Sequence, residues 1–166
     1  MAEGALFFDG KPLGAARAIL YGALVVGVLD GIDAIVFFGF RGVSPIRCFQ
    51  AIASGLLGRA AFSGGVPTFL LGTALHFFIA FGIVSAYYVA SGRLAVLTRR
   101  PILCGLLYGV FVYFFMNHVV IPLSAVTKGG TFSLPVFLNG VIGHAFLVGV
   151  PSAAFARLGR GESHGP

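Results

Sequence analysis

No acidic residue stands between Asp33 and Glu162, and the chain of 166 residues carries five acids in all: Glu3, Asp9, Asp30, Asp33 and Glu162. Charged residues make up 10% of the sequence, against about 25% in an ordinary soluble domain. The net charge of +6 therefore records a shortage of acids more than a wealth of bases. The eleven basic residues are scattered through turns instead of lining one face together with aromatics, which argues against nucleic acid as a partner. Two cysteines, Cys48 and Cys104, are too few for a disulfide framework and read as small apolar core residues on opposite sides of a bilayer. Also missing are a His-Glu-x-x-His helix, a Cys-x-x-Cys pair, a phosphate loop and a nucleophile elbow, so no motif marks an enzyme.

What the chain has in quantity is apolar surface. Hydrophobic residues make up 58% of it, with a mean hydropathy of +0.99, which places residues 1–166 in a single integral membrane domain whose first partner is the lipid bilayer. A bilayer core requires roughly 20 mostly apolar residues per helix, and four segments supply them: 18–40, 67–90, 101–125 and 132–156. The fold expected is all-α, a membrane-embedded four-helix bundle. The run after Arg17 is too long for the apolar region of a cleaved signal and is read as an uncleaved first span. Pro67 and Pro101 suit helix starts, whereas Pro122 and Pro151 should kink or end the third and fourth spans. Seven basic residues (Lys11, Arg17, Arg93, Arg99, Arg100, Arg157, Arg160) against four (Arg41, Arg47, Arg59, Lys128) place both termini in the cytoplasm.

Between the first two spans, "SPIRCFQAIASGLLGRAAF" opens with Ser44 as N-cap and Pro45 behind it. Ile46, Phe49, Ile52, Leu56 and Ala60 recur at helical spacing, with Arg47, Gln50, Ser54 and Gly58 as a narrow polar stripe. This predicts a short amphipathic interfacial helix over 45–62, on the extracytoplasmic side. A sharper alternative makes it re-entrant, bringing Arg47 beside the aspartates. Gly27-x-x-x-Gly31 and Gly105-x-x-x-Gly109 are spacings that let helix backbones approach closely.

Polar residues inside the spans are few, and each needs a partner, because a carboxylate in hydrocarbon costs about 2.5–3.5 kcal/mol even on the milder scale. Counting at about 1.5 Å per residue puts Asp30 and His76 roughly 14 Å, and His144 roughly 18 Å, below the extracytoplasmic surface. Asp33, His118, Asn117 and Asn139 form a shallower layer at about 6–11 Å. Each span thus contributes to one polar zone, and the cytoplasmic half is left apolar. At i and i+3, Asp30 and Asp33 share a helical face, and two neighbouring carboxylates cannot both carry charge cheaply in a poorly solvated space. The cluster is a candidate for binding a small solute, a cation or a proton, and a four-span unit working as a transporter implies a homo-oligomer. A second reading makes His76, His144 and Asp30 ligands of a metal ion or haem in a redox protein. A third makes the chain a non-catalytic subunit or assembly factor whose buried polar groups only fix helix packing.

The stretches "LDGIDAIVFFGFRGVSPIRCFQAIASGLLGRAAF" and "CGLLYGVFVYFFMNHVVIPLSA" resemble a group of small four-span bacterial inner-membrane proteins that carry no assigned activity. The similarity covers the first span to the end of the fourth. It implies the inner membrane as location and transfers no functional residues.

Overall fold

The computed structural model describes residues 12–126 and 132–161; Lys11 and Lys128, two of the charges used for topology, lie outside them. Four helices cross the bundle: α1 (Ala15–Gly39), α3 (Gly65–Ser91), α5 (Pro101–Leu123) and α6 (Leu134–Arg160). Between α1 and α3 lies α2 (Pro45–Leu57), followed by a 3₁₀ segment at Gly58–Ser63, and a single helical turn, α4 (Val96–Arg99), joins α3 to α5. Spans of 23 to 27 residues rising about 1.5 Å each exceed a hydrocarbon core of about 30 Å, so they cross with tilt. The expected all-α bundle with a short helix between its first two spans is what forms.

The packing is inside-out relative to a soluble protein. Buried positions are mostly small: Ala18, Gly22, Ala23 and Gly27 on α1, Gly72 and Ala80 on α3, Gly105 and Gly109 on α5. Large residues such as Leu70, Phe78, Leu107 and Phe111 face outward. Lipid tails are as apolar as leucine, so helices gain little by hiding large side chains from them and associate where small residues let backbones meet. Gly105-x-x-x-Gly109 is one such place, with Gly105 against the Gly149 carbonyl and Gly109 against that of His144. Gly27-x-x-x-Gly31 is another, with Phe77 of α3 lying over Gly27 and His76 beside Gly31.

The two ends of the bundle differ. Where α1 starts and α6 finishes, the amide of Leu13 donates to the Leu158 carbonyl at 3.0 Å. Here Tyr87, 1% exposed, donates to the Leu97 carbonyl at 3.0 Å and packs edge-on against Tyr108. Arg160 bonds Ser91 Oγ at 2.8 Å and the Tyr88 carbonyl at 2.5 Å, with its guanidinium over the Tyr88 ring. Val26, Ala80, Val84, Val112 and Val148 form the next layer. At the opposite end α2 lies across α3. Phe49 crosses Gly72 with its carbonyl where a Cβ would sit, and Gln50 donates to Thr68 Oγ1 at 3.2 Å and to the Gly65 carbonyl at 3.1 Å.

Several expectations need correction. The fourth span runs to Arg160, beyond Ala156, because the Arg160 clamp on α3 holds a last turn that hydropathy alone does not credit. Pro122 ends its span as expected, the helix stopping at Leu123, whereas Pro151 does not; both of these prolines follow a π-turn, Met116–Val120 and His144–Gly149 respectively. A proline ring clashes with the carbonyl four residues back, here His118 and Leu147, and widening the turn relieves the clash without breaking the helix. The polar stripe of α2 does not all face outward, since Gln50 and Ser54 are buried with Ala53 while Ile46 and Leu56 are exposed. With hydrocarbon on the outside, the hydrogen-bonding side of α2 turns to partners in the bundle.

Candidate functional site

Above the valine layer the four spans line a partly open cavity of about 1130 Å³, walled on the far side by α2 and the 3₁₀ segment. The division follows from side-chain size. Small residues draw the helices together near the α1 start, while at the other end α2 and its 3₁₀ extension complete the wall. Helices α3 and α5 are not among the pairs that pack closely along their lengths in the described residues. They are joined through Tyr108, whose hydroxyl donates to the Ile83 carbonyl at 2.7 Å. Beyond that bond the wall between them is made by Ile79, Met116 and Val120.

Asp30, His76 and His144 all line this cavity. Asp30 Oδ1 stands 4.0 Å from His144 Nδ1, both side chains about a quarter exposed. His144 is the first residue of the α6 π-turn and lies edge-on to the Tyr113 ring, which seats the imidazole between α5 and α1. His76 Nε2 donates to the Gly27 carbonyl at 2.8 Å, and its ring is gripped between Phe49 and Phe77. The missing Cβ of Gly31 admits it.

The remaining predicted residues go elsewhere. Asp33 is not in the cavity wall; its Oδ2 accepts from Asn139 Nδ2 at 2.8 Å, beside Gly143. The i, i+3 spacing leaves the two aspartates on adjacent but different sectors of α1, one facing the cavity and one facing α6. His118 and Asn117 are exposed and bonded within their own helix, to the Phe114 carbonyl at 3.0 Å and the Tyr113 carbonyl at 2.8 Å. They share the depth of the polar zone without sharing its interior. The expectation of three converging histidines thus reduces to His76 and His144. Among the described residues no group of three or more His, Cys, Asp or Glu side chains is placed to hold a metal, and His76 commits Nε2 to a carbonyl.

Sequence reading offered α2 as an interfacial helix, or as a re-entrant one bringing Arg47 toward the aspartates, and did not single out Cys48, Ser54 or Arg59 as site residues. Arg47, Cys48, Ser54 and Arg59 line the cavity, and Cys48 Sγ reaches the Ala34 carbonyl at 4.0 Å, one turn above Asp30. Burial pushes the Cys48 thiol above its ordinary pKa. The signal was present in the polar stripe, had its buried side been assigned to the bundle. Comparison with protein-family models, with curated proteins and with solved structures finds no match. The chain stands as a small all-helical protein with four apolar helices long enough to cross a membrane.

Proposed function

We propose that this protein binds a small organic amphiphile within the membrane, its hydrogen-bonding group at Asp30 and His144 and its apolar body along α3 and α5. It would carry that solute between the bilayer and the α2 face. The observation that carries the reading is the cavity itself. Organic ligand sites run to about 300–1,000 Å³, whereas a water occupies about 30 Å³, so the space far exceeds what a proton or bare cation requires. The wall is mostly apolar, with a few polar groups gathered toward α2, the usual make-up of an organic ligand site. A packing-only role for the polar residues explains Asp33 and Asn139, which satisfy each other. It does not account for Asp30 and His144 facing the cavity.

Both termini in the cytoplasm, with α2 on the outer side of a bacterial inner membrane, is the placement we propose from the bias of basic residues and the resemblance to bacterial four-span proteins. The test is equilibrium binding of decyl glucoside, an uncharged single-chain amphiphile, below its micellar concentration to protein in lipid nanodiscs. The expected result is saturable binding of one molecule per chain above the partitioning into empty nanodiscs. Partitioning alone, for this probe and for charged amphiphiles of the same chain length, would overturn the proposal.

A further inference from the structure

Two guanidiniums stand on the cavity wall, both exposed. Arg47 stands in the first turn of α2 and Arg59 in the 3₁₀ segment. Among the described residues neither is paired with a carboxylate; Arg47 has the Phe62 ring at 5.7 Å. The contrast with Arg160 is instructive, because that guanidinium closes on Ser91, the Tyr88 carbonyl and the Tyr88 ring. The cavity wall holds one carboxylate, Asp30, against these two arginines, and Asp30 already faces His144. The formal balance is one negative against two positive before any imidazole is counted.

We infer that the ligand is an anionic amphiphile whose phosphate or carboxylate head is taken by Arg47 and Arg59, an inference that rests on the cavity being a ligand site. A planar guanidinium suits such oxyanions because it offers paired N–H donors matching two oxygens. Ser54 and Ser124, on the same wall, already donate their hydroxyls to the Ala51 and Ile121 carbonyls, which leaves the two guanidiniums as the donors for the head. Hydroxyls of the head, of the kind a phosphoglycerol carries, reach Asp30 as donors. The chain lies against Ile79, Ile83, Met116 and Val120, where α3 and α5 are held apart from close packing and hydrocarbon is next door. Head and tail thus meet surfaces of matching chemistry, and the polar part sits toward the interface where an amphiphile's head already resides.

The experiment compares decyl phosphate, decanoate and decyl trimethylammonium with decyl glucoside, all of one chain length, each titrated into protein in nanodiscs of uncharged-headgroup lipid. The expected order puts both anions at least tenfold tighter than the neutral probe, and the cation weakest. Phosphate tighter than decanoate marks a phospholipid-type ligand, and the reverse a fatty-acid type; either supports the inference. In the double variant Arg47→Gln/Arg59→Gln, the preference for anions over decyl glucoside should vanish while binding of decyl glucoside stays saturable. Retention of decyl glucoside binding also shows that the variant is folded. Equal affinity for anion and cation, preference for the cation, or an anion preference that survives the double variant would overturn the inference and leave the ligand site standing. Failure of every probe to saturate would instead strike the underlying proposal.

Discussion

Gly109→Ala is expected to destabilise the bundle by about 3 kcal/mol, within the upper range for overpacking of a tight core, and to lose decyl glucoside binding with it. The added methyl group has nowhere to go: it would meet the carbonyl of His144 and come within 2.6 Å of Ala145 Cα. These are backbone atoms of a neighbouring helix, so relief requires α6 to move off α5 and no side chain can simply rotate away. His144 opens the π-turn at this contact, so the same displacement carries its imidazole away from Asp30. Gly82→Ala supplies the control. A Cβ there meets nothing within 4 Å, and helix propensity favours alanine over glycine by about 1 kcal/mol. Denaturant unfolding in mild detergent should separate the two substitutions clearly. Equal stability of the two variants would mean that the α5–α6 seam is looser than described.

The second large effect is at Asp30. Asp30→Leu is expected to weaken decyl glucoside binding by about tenfold to a hundredfold, the magnitude of a hydrogen bond to a charged group at about 1.5–3 kcal/mol. Folding should survive, because leucine removes a carboxylate from hydrocarbon, where its presence is costly. The comparison that isolates the role is Asp33→Leu. Asp33 is bonded to Asn139 and lies outside the cavity wall, so its loss should lower stability by leaving Asn139 unpaired while sparing affinity in the folded fraction. Titration of both variants in nanodiscs, with unfolding followed in parallel, gives the two readouts. A fall in stability without a fall in affinity at Asp30 would assign that residue to packing.

The spans were legible because hydrocarbon leaves little choice of residue over 20 positions. Their ends were less so, since the last turn of α6 depends on Arg160 bonding to Ser91 and Tyr88, a tertiary contact that hydropathy does not register. The candidate site was legible in depth and not in direction. Counting along a helix placed Asp30, His76 and His144 near one level, but it put His118 and Asn117 within the same zone although they face outward. The π-turn at Met116–Val120 adds to this, because a widened turn shifts the facing of every residue after it relative to a regular count. Arg47 was visible as part of a polar stripe, and its place in the wall depended on which side of α2 meets the bundle. That choice is set by Gln50 finding Thr68 and by the bare backbone of Gly72, neither of which has a signature in a single sequence.

The most direct test of an organic ligand held between the spans is photolabelling. A decyl glucoside bearing a diazirine in its chain, irradiated with the protein in nanodiscs and mapped by peptide mass spectrometry, is predicted to mark Ile79, Ile83, Met116 and Val120. Excess unlabelled decyl glucoside should abolish that labelling. Labelling confined to the outward residues Phe78, Leu107 and Phe111, and unaffected by competitor, would contradict the account.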